Sequence, residues 1–251
     1  MPEAFPESWV SGWLQRGFRP VQTAQYVYQD VNGNDIVRKT RFALMGVVDG
    51  KDSGEKTYVV QHRTLQSVLL GSARWEPGIG HEGWGDDLLY RRVALEGAID
   101  REEDIFLCEG EKDADAVVRA GWGSATSHYQ GAAGARLGQM KVLSRAHRYI
   151  IVLIDRDVTG YQLAAYHIEM LKSLGVPGRD ILCREPGVGD KKADISDHIA
   201  AGLGPEDTRR VTPSELARLI QKHGKLAAGG GRRWGYGYNA GDGEEWVVNS
   251  A

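Results

Sequence analysis

Apolar residues fall into two kinds of pattern along this chain. Through Tyr26–Phe42 they alternate with polar ones in YVYQDVNGNDIVRKTRF, which predicts a β-hairpin with Asn32-Gly33 as a two-residue primed turn. From Asp104 onward, short unbroken apolar runs alternate with helical stretches, the pattern of a parallel sheet with helices on both faces. The strands DIFLCE, GSATS, Tyr149–Asp155 and DILCR are separated by a helix over Lys112–Ala120, the Gly-rich loop QGAAGARLG and a long helix over Tyr161–Leu174. A short helix in SDHIAAG, with Ser196 as its N-cap, and a helix from Thr212 to about His223 follow. Upstream lie an amphipathic helix over Pro6–Gln15 with Trp9 and Trp13 on one face, the strand KTYVVQH and a Gly- and Trp-containing connection into LLYRRVALEGAI. After Leu226 the chain turns Gly-rich in AAGGGRRWGYGYNAGDGEEW, which predicts a flexible tail.

Two apolar runs stop at acids. Glu109 closes the first, and Asp155 and Asp157 close the second, with Gly110 and Gly160 beside them; a further pair, Asp194 and Asp197, stands in KKADISDHI. A buried parallel strand delivers such residues to the C-terminal edge of its sheet. Carboxylates collected there repel one another unless a cation neutralises them, and hard divalent ions take oxygen ligands, so the pattern points to a Mg²⁺ or Mn²⁺ site.

The motifs EGEKDADAV, SATSHYQGA, LIDRDVTG and KADISDHIAAG together resemble the Toprim domain, shared by DnaG-type primases, type IA and II topoisomerases, old-family nucleases and RecR-like proteins. Within that group they are most similar to the primase portions of phage primases and primase–helicases, over roughly residues 100–203. The resemblance implies an α/β fold, a Rossmann-like Toprim sheet over 99–204. A small mixed α/β domain over 1–98 would precede it, with a C-terminal helix over 205–226 and the tail over 227–251 following. The implied activity is RNA primer synthesis on single-stranded DNA from ribonucleoside triphosphates, with a replicative helicase as a partner. A Toprim nuclease and a non-catalytic replisome accessory protein remain alternatives.

On that reading Glu109, Asp155 and Asp157 are catalytic. Together with Asp194 and Asp197 they hold about two divalent ions, and Glu109 serves as ligand or as general acid/base. Asp113, the D of EGxxD, either ligates or orients its loop. Lys112, Arg156, Lys191 and Lys192 lie beside the acids and could neutralise a triphosphate, whereas Glu111, Asp115 and Asp190 read as solvated. Gly131, with His128, is placed to approach a phosphate or to make only a tight turn. The QGAAGARLG loop lacks a P-loop ending, which argues against an independent ATPase. Among upstream basic residues (Arg38, Lys39, Arg41, His62, Arg63, Arg74, Arg91 and Arg92), most read as solvated strand faces, and Arg91-Arg92 are the best candidates for template or triphosphate contacts.

Composition narrows this further. Across 251 residues the chain is 41% hydrophobic with a formal net charge of -3, an ordinary globular balance without a uniformly basic coat. The basic residues of the last segment cluster between Arg209 and Arg233, where Trp234, Tyr236 and Tyr238 make a candidate single-strand contact. Cys108 and Cys183, distant and outside any CxxC, exclude a zinc ribbon or disulfide framework, so no zinc is expected. A primase-like chain without a zinc-binding template reader is expected to extend a primer more readily than it initiates one. Neither a leader nor an apolar run near eighteen residues is present, so no membrane partner and a cytoplasmic location are expected, the host's cytoplasm if the chain is phage-encoded.

Overall fold

A computed structural model describes residues 7–48, 50–79, 84, 86–129, 135–189 and 192–227. The expected contacts of Gly131 and Lys191, the exposure of Asp190 and the tail beyond residue 227 lie outside these. An antiparallel sheet opens the chain, with strands β1 (Phe18–Gln29), β2 (Asp35–Gly46), β3 (Asp52–His62) and β4 (Glu76–Pro77) in the order β1-β2-β3-β4. Helix α1 (Glu7–Gln15) packs Trp9 on Phe42, the ring centres 5.0 Å apart. The β1–β2 hairpin forms as expected, but not with a two-residue primed turn. Asp30 Oδ1 accepts the backbone N–H groups of Asn32 and Asn34, each at 2.9 Å, and only Gly33, at φ 84°, is left-handed in the connection. The Asp30 carboxylate, by binding two amides, selects a longer turn than Asn-Gly alone would make.

Past helix α2 (Leu65–Leu69) and helix α3 (Arg92–Asp100), a second sheet is built from β5 (Ile105–Cys108), β6 (Ser124–Ser127), β7 (Ile150–Leu153), β8 (Ile181–Glu185) and β9 (Arg209–Arg210) in the order β6-β5-β7-β8-β9. The first four are mutually parallel and β9 is antiparallel at the edge. Side chains of the central strands alternate between two cores. Ile105, Leu107, Val152 and Ile154 face α3, α5 (Leu137–Leu143), α6 (Val158–Ser173) and α8 (Pro213–Ala227). Phe106, Cys108, Ile151 and Leu153 face α4 (Glu111–Arg119), α7 (Ile195–Ala200) and Tyr26, Tyr28, Ile36 and Val37 of the first sheet. Both faces of β5 and β7 are therefore buried, which is why their sequences are unbroken apolar runs.

The second core is shared by the two sheets. Leu89 bridges to His128 and α3 packs into the first core, so residues 88–98 pack with the parallel sheet and no break in packing falls at 98/99. Three helix ends also differ from expectation. Helix α6 begins at Val158 because Asp157 caps it, and α7 is capped by Asp194 rather than Ser196. Helix α8 continues to Ala227, past the expected end near His223. Among the described residues, no helix is long and apolar enough to cross a membrane.

Candidate active site

Three turns meet at the C-terminal edge of the parallel sheet. Glu109 follows β5, and Gly110, in extended conformation, leads into α4. Asp155 and Asp157 follow β7, where Asp157 Oδ1 accepts the Gly160 N–H at 2.9 Å and so fixes the start of α6. The third turn carries Asp194, whose Oδ1 accepts the Asp197 N–H at 2.9 Å, while Asp197 Oδ2 accepts the Asp194 N–H at 3.2 Å. These turns are stitched to one another. The Arg156 N–H donates to Ala193 O at 3.2 Å and the Lys192 N–H to Arg156 O at 3.3 Å. Asp113 Oδ1 accepts the Ser196 hydroxyl at 2.5 Å and the Ser196 N–H at 3.2 Å, tying α4 to α7. Gly160 is the point of closest approach: a Cβ there would lie 2.6 Å from Asp155 O and 3.2 Å from Glu109 Oε2.

Among the described residues, charge at this edge is only partly compensated. Burial, then Glu109, Asp113, Asp194 and Asp157, raise the Asp155 carboxyl well above the usual carboxylate range. Burial, then Asp157 and Asp113, raise Glu109, whose Oε2 is sealed from solvent with no protein partner. Asp113 is pushed up to about 6 by burial and then Asp194. Opposing cations are few and peripheral. Lys112 Nζ lies 2.7 Å from Asp194 Oδ2, and Lys56, on the antiparallel sheet, weakly lowers Glu109. A hard divalent cation fits this donor set, because every ligand would be an oxygen, one oxygen is buried and orphaned, and repulsion among the acids would be relieved. The oxygens do not form a finished cage: among the described residues, no three His, Cys, Asp or Glu side chains are already drawn together.

Several residues expected at the site serve elsewhere. Arg92 is 6% exposed and grips Asp87 and Glu96, so its guanidinium is structural rather than phosphate-binding. Arg91 pairs with Asp115 at 3.1 Å, which also corrects the reading of Asp115 as solvated. Arg156 Nη1 donates to Val188 O and its Nε lies 3.6 Å from Glu185. Lys192 is exposed, with a left-handed backbone at φ 66°. Of the two roles left open for His128, its surroundings favour a structural one. It is fully buried, with Nδ1 2.8 Å from Gln139 Oε1 and Nε2 2.7 Å from His167 Nε2. Of the other upstream basic residues, Lys39 and Arg63 make internal contacts and His62 bonds Gly78 O.

Neither a protein-family model nor a curated protein matches the chain. Among solved structures it is similar to a DnaG primase catalytic domain bound to ssDNA, at 17% identity and TM-score 0.48, over 81% of this chain and 63% of that one. It is also similar to a DNA primase domain from Pseudomonas aeruginosa, at 16% identity and TM-score 0.47, over 87% and 60%. A third is the Aquifex aeolicus primase with its zinc-binding and RNA polymerase domains, at 17% and 0.46, over 85% and 43%. The chain thus spans between 43% and 63% of the length of these three structures. Likenesses of this degree concern the path of the chain and not its chemistry.

One acid at this edge escaped the sequence reading, and another was read as solvated. Glu185 ends β8 just as Glu109 follows β5, so the pattern of an apolar run stopping at an acid nominates it equally well. It is 2% exposed and is neutralised by Arg209, at 2.8 Å, and Arg156. Glu111, read as solvated, is buried against Lys39 at 2.8 Å and accepts the Tyr28 hydroxyl. Both partners of Glu111 come from the antiparallel sheet, 72 and 83 residues away in sequence, and no local pattern marks them.

Proposed function

We propose that this chain is a Toprim-type, primase-like nucleotidyltransferase that makes short RNA primers on single-stranded DNA from ribonucleoside triphosphates. The observation that carries the reading is the only partly compensated group of Glu109, Asp113, Asp155 and Asp157 at the sheet's C-terminal edge, one carboxylate oxygen buried without a partner. Glu109, Asp155 and Asp157 would hold Mg²⁺ or Mn²⁺, with Asp194 and Asp197 contributing from the third turn. Two bound ions would supply stabilisation of the attacking 3′-oxygen and of the leaving pyrophosphate. Asp113, fixed by Ser196, orients the turn that carries Glu109. Glu109 would serve as a metal ligand or as the general acid/base that takes the proton of the 3′-hydroxyl. Lys112, paired with Asp194, would exchange that partner for a triphosphate oxygen, and Lys191 and Lys192, which shortly precede Asp194 in sequence, would add positive charge.

The full chain is tested with Mg²⁺, ribonucleotides and single-stranded DNA. Short RNA products, or extension of a supplied primer, support the proposal. Strand cleavage instead would assign the same acids to a nuclease that activates water, and neither activity would leave a DNA-binding accessory module. A helicase partner would add unwinding.

A further inference from the structure

Lys39 lies on β2, outside the parallel sheet, yet its ammonium reaches two turns of the acidic edge. Nζ is 2.8 Å from Glu111 Oε1 and 3.1 Å from Tyr129 O, and sits 4.7 Å from the Tyr58 ring centre. A lysine ammonium has three protons, and these three contacts account for all of them. Glu111 is the first residue of α4, two residues after Glu109, and its Oε1 also accepts the Tyr28 hydroxyl. Tyr129 follows β6 by two residues, at the start of the Gly-rich connection, and its ring meets Tyr28 edge-on at 5.8 Å. Lys39 and Glu111 keep side-chain exposures of 12% and 6%, so the pair has little water to screen it.

We infer that Lys39 and Glu111 are positioning residues: the buried pair staples the turn carrying Glu109 to the chain leaving β6, so that the antiparallel sheet sets the geometry of the acidic edge. The inference rests on the proposed nucleotide transfer for its kinetic consequence, but not for its structural one. Surface attraction between two charges would not need a third contact to a main-chain carbonyl. Here the carbonyl of Tyr129 is drawn to the same ammonium, so displacing Lys39 releases both turns at once. Glu109 is the group that would feel it, since only Gly110 separates it from Glu111.

The test uses the full chain and three variants, Lys39→Met, Glu111→Gln and the double Lys39→Met/Glu111→Gln. A lone Lys39→Met leaves a buried carboxylate unpaired and is expected to unfold at lower temperature. The double variant removes both charges while Gln still accepts the Tyr28 hydroxyl, so its unfolding temperature should recover toward the parent's. Its kcat for primer extension should nevertheless stay on the order of 10- to 100-fold low, with KM for the nucleotide changed less than threefold, as expected for a displaced reacting group. Hydrogen exchange at residues 109–113 and 127–129 should be faster in the double variant than in the parent. Were Lys39 a triphosphate ligand instead, KM would rise in Lys39→Met and Glu111→Gln would be near normal, overturning the inference. Full recovery of kcat in the double variant, or unchanged exchange in both segments, would also overturn it. A parent protein without nucleotide transfer would refute the proposed function, and the exchange measurement would still decide the staple.

Discussion

Glu185 and Glu109 both stand at the end of a strand in the same parallel sheet, and the protein neutralises only one of them. Glu185 is enclosed by Arg209, Arg156 and the Tyr161 hydroxyl, so its charge is spent on folding. Glu111 shares that fate through Lys39 and Tyr28. Glu109, with Asp155 and Asp113, faces other acids and has one oxygen with no protein partner. A buried acid with its cation built in is architecture, whereas acids gathered without one are costly to the fold and are kept where a bound cation completes them.

The comparison breaks most sharply at Asp155 and Asp157. Asp155→Asn or Asp157→Asn should lower nucleotide transfer by about 10³-fold or more, since metal-held charge supplies several kcal/mol to such reactions. Urea unfolding should show Asp155→Asn at least as stable as the parent in metal-free buffer, because its raised pKa means that ionising the parent's acid at rising pH costs stability. Next comes Gly160→Ala, whose Cβ would meet Asp155 main-chain atoms at 2.6 and 3.0 Å, where no side-chain rotation gives relief. Steady-state assays should show a loss of roughly 10- to 100-fold, and thermal unfolding a loss of about 1–3 kcal/mol.

A third kind of buried ionisable group sharpens the contrast. His128 and His167 are kept neutral chiefly by burial, with His128 pushed down to about 4 from 6.5 and His167 lowered by burial and then by His128. Gln139 Nε2 donates to Leu88 O, so its Oε1 accepts from His128 Nδ1; His128 Nε2 then accepts from His167, whose Nδ1 is left buried without a partner. An unfolded chain takes up the His128 proton near pH 6.5 and the folded chain only near pH 4. The His128 contribution is therefore complete above pH 6.5 and is lost as the pH falls through that window, by about 3 kcal/mol in full, as chemical denaturation at stepped pH would show. The smallest effect is expected at the paired acid. Glu185→Gln should cost about 1–2 kcal/mol of stability, because Arg209 is half-exposed and water replaces part of the pair, while transfer per folded molecule changes less than about threefold.

Much of the fold was legible in sequence. The unbroken runs IFLC and IIVL are buried on both faces, and that burial is what the apolar pattern encodes. The motif acids were legible for the same reason: each follows a strand that must end at the sheet's edge. What sequence could not show was which charges the fold had already paired. Arg92 looks like a phosphate ligand until Asp87 and Glu96 are seen beside it, and Glu111 looks solvated until β2 brings Lys39 across. Glu96 stands one turn on from Arg92 along α3, so spacing alone could have flagged that pair, whereas Lys39 reaches Glu111 through packing between the two sheets, where spacing along the chain carries no information. The role of His128 was hidden likewise, since its partner His167 lies 39 residues away on α6.

The most direct test of the central claim is divalent-ion binding itself, by calorimetric titration of Mn²⁺ into the parent chain, Glu109→Gln, Asp155→Asn and Glu185→Gln. The account predicts saturable binding in the parent, weakening by about tenfold or more in Glu109→Gln and Asp155→Asn, and affinity within about threefold of the parent in Glu185→Gln. Equal affinity in all four proteins, or no binding by the parent, would contradict it.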